Sequence, residues 1–162
     1  MKRQISLLIA FACATVAVIF ATQPAGLKAG AAVSNSPVSA ADEAKIVEDS
    51  MHEFMEYVFQ PTYKRLKVSM AAEPADNAGW KAVKSDSLIL AESCNLLFVR
   101  KPDENAADWA KHAVASRDAG AELYKAAREK KFEPATAAYK MMLDNCNACH
   151  RQFEKGRHIL TP

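Results

Sequence analysis

The sequence predicts an all-α protein, an up-down antiparallel four-helix bundle, and three observations carry that expectation. Four stretches repeat apolar residues at spacings of three and four, the period of a helix with one buried face. No stretch shows the strict apolar–polar alternation of a half-buried strand. Short connections rich in Pro, Gly and Asn separate the four stretches, which makes consecutive helices antiparallel neighbours. With 162 residues, 50% of them apolar and 25% charged, the chain is sized for one core.

Taken in chain order, the first segment is not part of that core. Lys2 and Arg3 precede Ile5 to Ala21 (ISLLIAFACATVAVIFA), an uncharged run of 17 apolar and small residues. This pattern predicts a signal peptide over residues 1–25, with small residues acceptable to a signal peptidase recurring from 21 to 40. The alternative is a retained membrane anchor, for which the run is at the short edge. Cys13, inside the run, leaves with it. Residues 26–39 (GLKAGAAVSNSPVS with its neighbours) lack periodicity and read as a linker. The helical domain is expected over 40–162.

Ser39, followed by Asp42, suits a helix start, the hydroxyl accepting from free amide groups and the acid facing the positive helix end. The first helix then carries Val47, Met51, Phe54, Met55, Val58, Thr62 and Leu66 on one stripe and should run to about Met70. Pro61 falls inside it; a lost ladder hydrogen bond and a steric clash predict a kink near Val58. A second helix buries Trp80, Val83, Leu90, Cys94 and Leu97, and RKPDEN ends it. The third places Trp109, Ala113, Ser116, Gly120, Leu123 and Ala127 inward, small enough in places to admit a close neighbour or a flat ligand. Pro134 suits the first turn of a fourth helix, with Tyr139, Met142, Cys146, Cys149 and Phe153 facing in.

Charge narrows the function. Lys2, Arg3 and Lys28 precede every acidic residue, leaving 18 basic against 19 acidic side chains beyond residue 40. A nearly neutral body lacks the basic face that draws phosphates, so nucleic acid is not an expected partner. Paired carboxylates, a Ser-His-Asp set and a Gly-rich phosphate loop are all missing from the sequence, and a hydrolase or nucleotide enzyme has no support.

The chemistry lies in Cys146-Asn147-Ala148-Cys149-His150. Residues three apart share a helix face, so both thiols can reach the two vinyl groups along one haem edge, with the adjacent His150 placed to ligate the iron. This is the attachment signature of c-type haem. A redox dithiol normally opens a helix after a strand, where the helix end lowers a thiol pKa. Zinc would need a fourth ligand, and His52, His112, His158 and Cys94 offer no second compact pair. A disulfide between Cys146 and Cys149 would close a very small loop.

The export segment, the four-helix pattern and CNACHRQF within 17 residues of the end resemble the class II c-type cytochromes, the cytochrome c′ family, over residues 40–158. Phe153 matches an aromatic that commonly follows the haem histidine; Glu154 departs from the basic residue that often comes next. The resemblance implies one haem c per chain, thioethers from Cys146 and Cys149, and His150 as proximal iron ligand. It implies a periplasmic electron-transfer protein rather than an enzyme, with periplasmic redox partner proteins, a homodimer as an option, and membrane contact only if the N-terminal segment is retained. It also implies a distal position on the inward face of the first helix. Met55 is the candidate distal ligand, Met51 the second choice, and core filling the competing role of either. Without a methionine ligand the iron would be five-coordinate and the protein a binder of small gases such as NO or CO. His52, beside Glu48 and Glu56, is expected to be solvated, as are His112 and His158. Trp80, Trp109 and Tyr139 are core candidates first and haem-packing candidates second. Cys94 is expected as a small buried hydrophobe, with pairing of two subunits as its other use.

Overall fold

A computed structural model describes residues 45–162, and among these the regular structure is entirely helical. The proposed signal peptide, the linker, Cys13 and the Ser39–Asp42 start lie outside the described residues. Helix α1 runs in three consecutive segments, Met51–Phe54 as α-helix, Met55–Phe59 as a π-helical turn and Gln60–Ser69 as α-helix again. Helix α2 spans Asn77–Asn95 and is followed by a 3-10 turn at Phe98–Arg100; α3 spans Ala106–Arg128 and α4 Phe132–Phe153. Helix α1 packs on α2, α2 on α3, and α3 on α4.

The first helix starts later than the sequence pattern suggests. Ser50 is its cap, accepting from the Glu53 amide at 3.2 Å, and the residues before it are not helical. Val47, expected on the buried stripe, is 99% exposed. A serine oxygen in range of orphan amides decides a helix end locally, and Ser50 offers this close to the apolar stripe.

Pro61 produces a π turn instead of a break. Its missing N–H leaves the Tyr57 carbonyl without an α-helical donor, and the turn before it widens so that the Gln60 amide donates to the Met55 carbonyl. The Thr62 hydroxyl donates to the Val58 carbonyl at 3.1 Å. The widening has a consequence for side-chain placement. A four-residue step along a regular α-helix overshoots a full turn by about 40°, so Met51, Met55, Phe59 and Tyr63 would drift around the helix. The wider turn corrects the drift, and all four line one cavity.

The core forms two clusters. One gathers Leu66, Trp80, Val83, Leu123 and Tyr139, the other Phe54, Cys94, Leu97, Trp109 and Ala113. Leu66, Val83 and Leu123 are fully buried, each stabilising the fold by roughly 1.5–3 kcal/mol. The small residues of α3 serve a neighbouring helix: a Cβ at Gly120 would stand 3.1 Å from the Ala91 Cβ and 3.3 Å from the Met142 sulfur. The buried Asp86 of α2 is paired with Arg65 of α1 at 2.7 Å, which satisfies the charge and ties the two helices.

Beyond α4 the chain turns back. The amides of Glu154 and Gly156 both donate to the His150 carbonyl, at 2.9 and 3.0 Å. Lys155 and Gly156 take left-handed backbone angles, φ 54 and 76, the geometry that ends a helix and reverses the chain. Residues 157–162 therefore run back along α4.

Candidate functional site

Between the two core clusters lies a cavity of about 590 Å³, within the size range of buried cofactor sites. Its walls come from every helix and from the tail. Leu90 and Cys94 of α2, with Leu97 just beyond its end, face Trp109, Ala113 and Ser116 of α3; Met51, Met55 and Phe59 of α1 lie on its wall, as do Cys146, Cys149 and His150 of α4. The lining is mostly apolar, which suits an apolar ligand.

All five residues the sequence singles out therefore meet at one cavity. Spacing explains the α4 side: Cys146, Cys149 and His150 lie within the last two turns on its inward face. All three are half-buried, and the cavity is their open side. Met51 and Met55, one turn apart, are also half-buried, and both are placed to reach into the cavity from α1. His52 is exposed and sits 3.2 Å from Glu56, on the solvent flank as its sequence neighbours suggest. His112 departs from expectation. It is half-buried, lines the cavity, bonds Gln152 at 2.8 Å and packs at right angles to the Phe153 ring. Trp80 and Tyr139 belong to the first core cluster and do not line the cavity, whereas Trp109 lines it, its indole donating to the Leu97 carbonyl at 2.8 Å and its ring packed edge-on with Phe153.

The thiols are held protonated. Burial pushes Cys149 up to about 11, with Cys146 close by adding to the rise. Burial also raises Cys146, partly offset by the Ser116 hydroxyl. A redox dithiol needs the opposite, a lowered thiol pKa near a helix N-terminus, and this pair sits near a helix C-terminus with raised values. Among the described residues no cluster of three or more His, Cys, Asp or Glu side chains is arranged to hold a metal ion, so a four-ligand zinc site has no donor set there.

His150 is held as a neutral imidazole. Its Nδ1 lies 2.8 Å from the His158 carbonyl oxygen, which can only accept. Nδ1 therefore carries the proton, and the Nε2 lone pair is free to coordinate. Burial, as the main cause, lowers the His150 pKa against the opposing effect of the His158 carbonyl, and favours the unprotonated ring.

Cys94 is buried, at 3% exposure, and lines the same cavity. It faces inward among Phe54, Leu97 and Trp109, so a disulfide between subunits is not open to it. Burial first, then the neighbouring Cys146, pushes its pKa from 9.0 up to about 12. The folded state thus favours the protonated thiol. That contribution is complete below about pH 9 and is lost as pH climbs toward 12, because the unfolded chain releases its proton first. Denaturant midpoints measured from pH 7 to 11 should fall above pH 9 in the wild type and fall less in Cys94→Ala.

No family model, curated protein or solved structure matches this chain. The sequence pattern missed Tyr63, Asn147 and the tail. Asn147 is one of the two spacer positions between the cysteines, where its polarity alone gives no signal, yet it is buried and bonded to the tail.

Proposed function

We propose that the chain is a class II c-type cytochrome, a periplasmic single-electron carrier with one haem c held in an up-down antiparallel four-helix bundle. The observation that carries this reading is the apolar cavity with Cys146, Cys149 and His150 on α4 and two methionines on α1. The bundle arrangement is supported by consecutive helices packing as neighbours across short connections. Haem supplies the one-electron chemistry. The protein residues would hold it: Cys146 and Cys149, both protonated, would be the thioether donors to its two vinyl groups, an addition that needs no oxidant, His150 would present Nε2 to the iron, and Met55, or Met51 in its place, would present a thioether. A soft sulfur ligand favours the reduced metal and raises the potential, which suits a carrier. Export follows from the charge-free run after Lys2 and Arg3, and redox partner proteins of the periplasm follow from the carrier role.

The test is retention of colour. The exported protein should keep its haem through acid–acetone extraction and denaturing electrophoresis, and a haem-stained band at the protein's mass is the expected result. Colour that extracts completely would overturn covalent attachment and with it the family reading.

A further inference from the structure

The tail after α4 does more than end the chain. Asn147 bonds Leu160 in both directions, its Nδ2 donating to the Leu160 carbonyl at 2.9 Å and its Oδ1 accepting from the Leu160 amide at 2.7 Å. On the α1 side, the Tyr63 hydroxyl donates to the Thr161 carbonyl at 2.7 Å and accepts from the Thr161 amide at 3.1 Å. Lys67 adds a 2.7 Å bond to the Thr161 hydroxyl. The tail is thus fastened to α4 across 13 positions and to α1 across 98, at a cost in chain entropy that several hydrogen bonds must offset. This fixed tail sets the His158 carbonyl 2.8 Å from His150 Nδ1, and His158, Ile159 and Leu160 all border the cavity.

We propose that the tail His158–Thr161, clasped by Asn147 and Tyr63, is a positioning element that fixes the tautomer and ring orientation of His150 toward the cavity. The proposal rests on His150 being the proximal ligand. A carbonyl that accepts from Nδ1 does two things. It keeps the coordinating lone pair on Nε2, and it makes the imidazole a stronger donor. A stronger donor favours the oxidised metal, so the tail lowers the reduction potential against the rise that a methionine ligand brings. Asn147 and Tyr63 act through the tail and are positioning residues. Tyr63 does so from α1, so the same contacts couple the helix of the candidate distal ligand to the proximal side.

The experiment uses the full-length haem-loaded protein with Asn147→Leu and Tyr63→Phe, singly and together. Tyr63→Phe removes one hydroxyl and leaves the ring, so it keeps the test valid if Asn147→Leu folds poorly. Expected are an upward shift of the reduction potential and a lower iron–histidine stretching frequency after photolysis of the carbon monoxide adduct, both larger in the double variant. Lower thermal stability with potential and frequency unchanged would make the clasp a structural brace only and overturn the proposal. If the wild-type chain proves to carry no covalent haem, the cytochrome reading fails separately. The tail is then judged on ¹⁵N-detected histidine spectra of the same chain. A His150 proton on Nδ1 in the wild type, with mixed tautomers in the variants, supports the positioning role; a proton on Nε2 in the wild type overturns it.

Discussion

Met55→Ala is expected to turn a low-spin protein into a high-spin one that binds carbon monoxide readily and has a lower reduction potential. The π turn keeps Met55 in line with Met51, Phe59 and Tyr63 along the cavity wall. If the Met55 sulfur fills the distal position, the ferric wild type shows the weak sulfur-to-iron band near the red end. Carbon monoxide then binds slowly, because a ligand must leave first. Removing the thioether frees the position and withdraws the soft donor that favours ferrous iron. The contrary outcome has an equally clear signature. A wild type that is already high-spin, with Met55→Ala costing only the roughly 2–5 kcal/mol of a large-to-small core change, makes Met55 a packing residue. Met51→Ala is then the deciding variant, since Met51 lies one turn away on the same wall and is similarly half-buried. Five-coordinate spectra unaffected by either substitution would assign the protein to gas binding instead of electron transfer.

The double variant Cys146→Ser, Cys149→Ser is expected to unfold at a much lower temperature than the haem-loaded wild type. Serine nearly matches cysteine in size, so the substitution itself leaves little new void on α4. The loss comes from the cavity. In a haem-free variant the space of about 590 Å³ between the two core clusters, lined by Leu90, Cys94, Trp109 and Met142, would have no apolar occupant to pack on its walls, and dispersion and burial would be forfeited together. A tight ligand present only in the folded state adds ~4 kcal/mol or more, a shift on the order of 10–20 °C for a domain of this size. Thermal unfolding followed by helical ellipticity, with haem content measured on the same sample, checks this. Equal melting points in a haem-free variant would mean that the helices hold the cavity open unaided and that CNACH is incidental.

The helices were legible because each has a buried stripe with a regular period. Trp80, Val83, Leu90 and Cys94 of α2, Leu97 just past its end, and Trp109, Ala113, Ser116, Gly120, Leu123 and Ala127 of α3 are all buried. Their periodicity is enforced by burial over several turns, which averages out local exceptions. The first helix was less legible at its ends for a local reason. Val47 continues the stripe by spacing, but Ser50 caps the helix after it, and a single cap hydrogen bond outweighs one more apolar side chain that has nothing to pack on. Pro61 announced an irregularity; whether it would be a kink or a π turn depended on which carbonyls found new donors, and Thr62 supplied one of them.

The sequence by itself determined the all-helical class, the positions of the buried stripes and the placement of Cys146, Cys149 and His150 on one helix face, because spacing along a helix is a local property. The tertiary structure alone decided the rest. It joined those three residues to Met51 and Met55 across a cavity, turned Cys94 and His112 toward the same space, and laid the tail so that a carbonyl at His158 meets His150. Tyr63 and Thr161 bond across 98 positions, and no local pattern encodes such a pair. Contacts of that separation depend on how helices pack, and the packing is settled by the whole core at once.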